Sequence, residues 1–599
     1  MRAVYLVLSV VLTFAAFCAC GGYGLCYCDD AFYVSQYAFV MDGLTWAGAK
    51  EAFVFVAESI WMPLTWISYM IDYSAGWGVG GMHLVNVSLH ALNAGILFLV
   101  LVRLLRGRGG AALAFAFLAT LAWSLHPLRV ESVVWVASRK DELSTLFFLW
   151  ALGIWTGGRG GARVAATLAL LAVGALAKPS VMVFPAFAFA ADFLFGMPRK
   201  HWSAYVVLVL VGLGIAAEGV FGQSVGAMAD SETIPVWYRL VNAGAALTIY
   251  LGNLVFPKDL ALQCSIKYPF APRFSPVGAA LLTAAGVFLW RTLRRRVGMF
   301  LASERPDALV EGTPGENLLL GGLLVFFASF VPFLGIVGFG YHAFADRFTI
   351  LPTVAFSLMA AVAAREFPLS RRRAVLLGVA GAAAVVTLGL RTQVQIGYWR
   401  DDDTLARHTL DVDGPDNLMV YYMRAVQRWE CERDLDGVCR DVDAMRPLLR
   451  SAVDEEKLAH CAHFYVDAAY RTGRREAAEE MYSWVNKWNY RTYRGKTNSL
   501  EYLMCEILYY INSVGNREVA AKKLAVLEQK LPDHYVTRYL AYCLAEKRGD
   551  PSEIRRALER CPRPGLAHEC RNRWAERMLK GEIGDVVSRQ RESGKEEKK

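Results

Sequence analysis

Apolar residues run unbroken over long stretches of the first two thirds of the chain, near 3–26, 83–102, 110–125, 142–157, 163–177, 180–196, 202–221, 274–290, 318–338, 348–364 and 374–391. Crossing about 30 Å of hydrocarbon takes about 20 helical residues, so the pattern predicts about eleven membrane-spanning helices. A further apolar stretch, 236–256, reads as an interfacial or re-entrant helix, because counting it as a span would move the Arg291–Arg296 cluster to the opposite membrane face. From about residue 392 the pattern changes to polar, aromatic and charged positions with helical periodicity and few strand signals. The fold expected is all-α: a polytopic helical bundle over 1–391, a second helical domain over 392–587 and a charged tail over 588–599.

Within the second domain, Tyr470-Arg-Thr-Gly473-Arg-Arg-Glu-Ala477-Ala478 reads as helix, glycine turn and helix, with small residues where two helices touch. The stretch around Gly515 with Ala520 and Ala521 repeats the device, and Gly549 opens a third instance. The spacing is irregular around the 34 residues of tetratricopeptide repeats. A degenerate repeat solenoid and a plain helical bundle both fit.

Composition narrows the class. The 599 residues are 55% hydrophobic and 20% charged, with 51 Gly, 21 Pro and 12 Cys. The mean hydropathy is +0.30. These values exclude a disordered chain, a collagen and a small disulfide scaffold. The net charge of +9 would suit nucleic acid, but the Lys and Arg residues sit in alternate connections: Arg2, Arg103/Arg106/Arg108, Arg159/Arg163, Arg199/Lys200, Arg291/Arg294–Arg296 and Arg365/Arg371–Arg373. Cytoplasmic loops retain positive charge, so the expected partner is a lipid bilayer and no nucleic acid. The N-terminus is expected in the cytoplasm, with everything after about residue 392 outside. The first run also resembles a signal peptide with a lipoprotein-type site at Cys20, yet it has no small-x-small cleavage site and is retained as a span. Seven Cys (431, 439, 461, 505, 543, 561, 570) follow the last span, where an oxidising compartment permits bridges; Cys431 with Cys439, and Cys561 with Cys570, are close enough in sequence to pair. Cys18-x-Cys20 and Cys26-x-Cys28 lack the partner spacing of a zinc site.

Ionisable groups at membrane depth mark function. Asp29–Asp30, directly after the first span, suit a general base or a cation ligand, or else an exposed helix-terminating pair. His83, Asn86, His90 and Asn93 fall on one helical stripe that either lines a cavity or joins helices by hydrogen bonds. His126-Pro-Leu-Arg129-Val-Glu131 through Arg139-Lys140-Asp141 puts cations on the face that the charge rule disfavours, and Lys178 and Asp346-Arg347 repeat the anomaly. An anion site there is favoured over solvated charge.

At these residues the chain resembles the transmembrane and tetratricopeptide-repeat O-mannosyltransferases and their bacterial relatives, within the C-type glycosyltransferase superfamily. The matching pieces are Asp29-Asp30, WMPLTW at 61–66, HLVNVSLHALN at 83–93, HPLRVESVVWVASRKDELSTLFF at 126–148, AKPSVMVFP at 177–185, ADRFTILP at 345–352 and YWRDDDTL at 398–405. The likeness runs from about 25 to 410. It departs at Met62, where bacterial relatives often carry His, and in the irregular repeats.

The resemblance implies an enzyme that moves a sugar, a hexose such as mannose, from a polyprenyl-phosphate donor to Ser/Thr hydroxyls of an exported protein or peptide, in a bacterial inner membrane facing the periplasm. It implies Asp29 as general base, with Asp30 supporting it or binding a divalent cation, the one cofactor in view. Arg139, Lys178, Arg129 and Arg347 become phosphate contacts, and His83, His90 and His126 line the sugar or phosphate cavity. Two alternatives stand beside it: a transferase of the same fold acting on a lipid or polysaccharide, and a non-enzymatic scaffold whose repeats recruit partners. No G-x-x-x-x-G-K-[ST] loop is present for an ATP-driven transporter.

Overall fold

The computed structural model describes residues 1–26, 29–35, 37–55, 61–105, 110–158, 160–194, 197, 200–224, 234–262, 264–265, 274–303, 312–336, 342–366, 370–429, 434–449, 452–494, 499–531, 535–549 and 551–559. Arg106, Arg108, Arg159, Arg199, Cys28, Cys431, Cys561, Cys570 and the 588–599 tail lie outside them.

The described chain is helical apart from one short antiparallel pair, Cys264–Ser265 with His342–Phe344. The described part of each of the eleven apolar runs is mainly helical. Among the described residues, seven helices are long and apolar enough to cross a membrane: Arg2–Gly22, Val79–Leu105, Trp202–Phe221, Pro276–Met299, Pro314–Phe333, Asp346–Glu366 and Arg371–Tyr398. Ala111–Ser124 and Pro127–Val134, bent by 54° at their junction, would make an eighth. Gly161–Ala175 and Pro179–Phe193 are shorter apolar helices.

The chain divides into two compact units, one of 1–25 with 42–415 and one of 26–41 with 416–599. This division differs from a boundary at 391/392. The helix Asp402–Asp413 packs on the first unit because His408 stacks on Tyr398 at 3.6 Å and places Nε2 2.7 Å from Leu260 O.

In the first unit, Val79–Leu105 and Arg139–Trp155 run side by side in the same direction. At one end Asn86 Nδ2 donates to Trp135 O at 3.0 Å and Asn93 Nδ2 to Glu142 O at 3.1 Å, while at the other Arg103 donates to Gly153 O. The helix Gly110–Ser124 runs back between these two ends. Basic side chains meet helix C-termini at the second end, with Lys200 Nζ on Trp155 O at 2.6 Å and Arg365 Nη1 on Leu104 O at 3.2 Å, where carbonyls lack intrahelical partners. The first helix packs tightly at the opposite end: a Cβ on Gly80 would lie 2.2 Å from Gly21 O, so only glycine fits. The helix Val236–Val255 is fastened there twice, by His126 Nε2 to Leu254 O at 3.1 Å and by Arg239 Nη1 to Ile336 O at 2.9 Å.

In the second unit, consecutive helices from Leu418–Gln427 to Pro551–Glu559 pack each on the next. Gly473, Gly515 and Gly549 sit at positive φ (79°, 71° and 73°), a turn conformation glycine adopts without Cβ strain. Ala478 and Ala520 are fully buried, as their small size at helix contacts requires. Asp467 ties three helices, accepting from Trp429 Nε1 at 3.0 Å, Tyr539 OH at 2.6 Å and Arg471 Nε at 2.9 Å. Cys439, Cys461, Cys505 and Cys543 are buried.

Candidate active site

The 126–141 segment is not a solvated loop. It folds as short turns, Pro127–Arg129, Val130–Val134 and Val136–Ser138, before the helix that starts at Arg139, and every residue from 126 to 141 is buried. On and around this segment, five cations (Arg129, Arg139, Lys140, Lys178, Arg347) and five carboxylates (Asp72, Glu131, Asp141, Glu142, Asp346) are each no more than 8% exposed. The set is neutral with every group ionised, which is how buried charge persists at acceptable desolvation cost.

The pairing is specific. Lys178 Nζ lies 2.6 Å from Asp141 Oδ1. Arg347 pairs with Glu131, whose Oε2 also accepts the Arg347 backbone N–H at 3.0 Å. Arg139 pairs with Asp72, donates through Nε to Asn86 Oδ1 at 2.9 Å and through Nη2 to Met82 O at 2.8 Å, and lies 4.5 Å from the Tyr69 ring centre. It thereby joins three helices. Lys140 Nζ donates to Ala137 O at 2.9 Å. Arg129 reaches Thr349 Oγ1 and lies 5.8 Å from the Trp123 ring, but its Nε and Nη1 have no hydrogen-bond partner among the described residues.

The WMPLTW segment is fastened beside Lys178. Leu64 N donates to Leu176 O at 3.0 Å and Thr65 Oγ1 to Ala177 O at 3.2 Å, while Met62 is fully buried. Lys178 sits 5.8 Å and 5.7 Å from the ring centres of Phe333 and Phe348, which stack on each other at 4.8 Å. Arg347 lies 4.9 Å from Phe348 and 5.1 Å from Trp135. Both phenylalanines are only half-buried, and Lys178 and Arg347 are the least buried cations of the five.

The three histidines act as ties, each ring nitrogen having a partner among the described residues. His83 places Nδ1 2.8 Å from Val134 O and Nε2 3.0 Å from Gly24 O. His90 joins Glu142, 3.1 Å from Oε1, to Ser124 O at 3.0 Å. His126 accepts from Leu128 N at 3.2 Å while its Nε2 reaches Leu254 O. Sequence reasoning missed Asp72, Phe333 and Phe348; a lone carboxylate in the otherwise uncharged helix Pro63–Ser74 was the signal for the first.

Asp29 and Asp30 belong to the segment 26–41 of the second unit, where Cys26 Sγ lies 3.7 Å from Met423 Sδ. Asp30 is fully buried, and its Oδ2 accepts the Cys26 backbone N–H at 2.8 Å. Asp29 is half-buried and precedes the helix Asp30–Ser35. Among the described residues no three His, Cys, Asp or Glu side chains converge as metal ligands.

Part of the chain is similar to proteins named protein O-mannosyl-transferases. It is 37% identical over 92 residues to Tmtc1 of Drosophila melanogaster (15% of this chain, 10% of the relative) and 37% over 98 residues to TMTC4 of Mus musculus (14% and 13%). To TMTC2 of Homo sapiens it is 35% identical over 95 residues (15% and 10%). The likeness is to transferases. It spans only 10–13% of those relatives' lengths. No family model and no solved structure matches the chain.

Proposed function

We propose that the chain is a membrane glycosyltransferase that moves a hexose, mannose in the first instance, from a polyprenyl phosphate to Ser/Thr hydroxyls of exported proteins. The observation that carries this reading is the Lys178–Arg347 pair: two cations held at one end of a helical bundle, at the rim of a neutral buried network and against half-buried Phe333 and Phe348. A prenyl phosphate offers the matching chemistry, an anion joined to an apolar chain. The printed names of the relatives support hexose transfer to protein.

Asp29 takes the proton of the acceptor hydroxyl as its oxygen bonds to the anomeric carbon. The bond from that carbon to the phosphate oxygen breaks, and the prenyl phosphate leaves with the electron pair. Lys178 and Arg347 stabilise the developing negative charge by charge-assisted hydrogen bonds in a site screened from water. A single displacement inverts the anomeric centre. Asp30, occupied with the Cys26 N–H, supports the turn that presents Asp29. His83 ties the backbone at Gly24 to Val134, in the segment that carries Arg129 and Glu131. Arg139 and the three histidines position the network rather than touch the donor.

The reading includes eleven spans, with Val236–Val255 lying along the outer interface. Trp399, directly after the last helix, lies 6.0 Å from Trp135 beside the cation segment, so the chain leaves the bundle from the cation-bearing end. The C-terminal helices, as a degenerate tetratricopeptide-like array, hold the acceptor polypeptide outside the cytoplasm. The test is mass spectrometry of exported proteins from cells with and without the gene: hexose on Ser/Thr only when the gene is present supports the reading, and identical glycosylation refutes it.

A further inference from the structure

At the end of the first unit away from the candidate site, the helix Arg139–Trp155 runs into a glycine turn. Gly158 and Gly160 take positive φ (142° and 130°), and the chain reverses into the helix Gly161–Ala175. The reversal brings Arg163 over Gly157, where Arg103 arrives from the helix Val79–Leu105. A Cβ placed on Gly157 would lie within 2.5 Å of Nη1 of both arginines, so two guanidinium groups converge on one point above a residue that has no side chain.

The neighbouring cations at this end have counter-ions: Lys200 Nζ stands 3.8 Å from Asp192 Oδ2, and Arg365 Nε 2.6 Å from Glu366 Oε1. Among the described residues Arg103 and Arg163 have none. Arg103 donates to Gly153 O, a last-turn carbonyl that attracts a cation by itself. Arg163 makes no side-chain hydrogen bond among the described residues, and its side chain is exposed, so nothing in the fold obliges it to turn toward a second cation. Two like charges at one point repel, and the helix terminus accounts for only one of them. An anion accounts for both, since forked guanidinium groups match the oxygens of a phosphate.

We infer that Arg103 and Arg163 form a binding site for the phosphate of an anionic lipid headgroup, with Gly157 as its floor. The site lies at the ends of the helices Val79–Leu105 and Arg139–Trp155, both read as spans, which is headgroup depth. On the eleven-span reading it faces the cytoplasmic leaflet, where anionic lipid attracts basic clusters. Leu99, one turn before Arg103, and Trp150, two turns before Gly157, are exposed on the same two helices and offer apolar surface to an acyl chain, which a free phosphate would not use. The site takes no part in sugar transfer and does not depend on the transferase reading.

The experiment is native mass spectrometry of the purified full-length chain titrated with dioleoyl phosphatidylglycerol, dioleoyl phosphatidylcholine or inorganic phosphate. Wild type should hold phosphatidylglycerol more tightly than phosphatidylcholine. Arg163→Gln should bind phosphatidylglycerol about fivefold more weakly and Arg103→Gln/Arg163→Gln about thirtyfold, leaving the two lipids bound alike. Gly157→Ala keeps both charges but puts a methyl group where the guanidinium groups meet, and should lose about fivefold as well. Arg371→Gln/Arg372→Gln, which removes two charges from the same expected membrane face, should stay within about twofold of wild type. Equal losses from Arg371→Gln/Arg372→Gln and Arg103→Gln/Arg163→Gln would reduce the effect to diffuse surface charge and overturn the inference. So would equal binding of the two lipids by wild type, or wild-type affinity in Gly157→Ala. Inorganic phosphate bound as tightly as phosphatidylglycerol would overturn the lipid assignment. Should Arg103→Gln disturb the helix end and fail to fold, Arg163→Gln decides alone, because Arg163 has no hydrogen-bond partner among the described residues to lose; wild-type affinity in it overturns the inference.

Discussion

Arg139 is the cation whose role the geometry separates most sharply from phosphate binding. Its guanidinium is fully buried, pairs with Asp72, bonds Asn86 and Met82 O and stacks near Tyr69. Replacing it by Met leaves the Asp72 carboxylate, 1% exposed, without its counter-charge. Breaking a buried pair from one side costs about 3–5 kcal/mol. Asp72→Leu should cost a similar amount, since Arg139 keeps its neutral acceptors but loses the charge. The combined Asp72→Leu/Arg139→Met variant removes both ions and should be more stable than the sum of the single losses by about 2 kcal/mol. The assay is denaturant unfolding of the detergent-purified chain, with farnesyl phosphate titrated into whatever remains folded. The double variant should bind that ligand to within about threefold of wild type, because Arg139 has no part in holding it. An Arg139→Met protein as stable as wild type but unable to bind farnesyl phosphate would refute the reasoning and return Arg139 to the donor site.

Four further outcomes are expected. A reporter fused after residue 400 should be active only outside the cytoplasm; activity confined to the cytoplasm would overturn the eleven-span topology. Burial pushes the thiols of Cys439 and Cys543 up to about 11 and about 12, so both should resist iodoacetamide at pH 8 in the native chain and react on unfolding, as read by mass spectrometry. The same two thiols keep their protons in the folded state above the ordinary value of 9.0, so their contribution to stability should be lost as pH rises past about 9. Asp30→Ala removes the acceptor of the Cys26 N–H and should lower the unfolding free energy by about 1 kcal/mol while Asp30→Asn, which keeps an oxygen there, costs less.

The bundle was legible because lipid leaves helices few alternatives, and the described part of each apolar run is mainly helical. The glycine turns at 473, 515 and 549 were legible for the same kind of reason, local chemistry deciding local geometry. The cation segment was visible as a violation of the charge rule, but its burial and neutrality were not. Arg347 meets Glu131 across 216 residues and Arg139 meets Asp72 across 67, and no periodicity reports contacts at such separations. The helix that carries Arg139 begins with Arg-Lys-Asp-Glu, so an apolar window starts it at 142 and reads the buried charges as loop. The histidine stripe was recognised, yet whether such a stripe lines a cavity or ties backbones depends on which carbonyls face it. The packing of 26–41 with the C-terminal unit depends on contacts like Cys26 with Met423, equally silent in the sequence.

The central claim is hexose transfer from a prenyl phosphate with Asp29 as base, and a defined reconstitution tests it most directly. The purified full-length chain is supplied with polyprenyl-phosphate mannose and a Ser/Thr-rich acceptor polypeptide, and hexose incorporation is followed by mass spectrometry alongside Asp29→Asn. Asn keeps the size and polarity of the side chain but cannot take the proton, so the wild type should transfer and the variant should fall by about 10² to 10⁴ in rate while remaining folded. Equal transfer by both proteins, or none by the wild type from any prenyl-phosphate hexose, would contradict the claim.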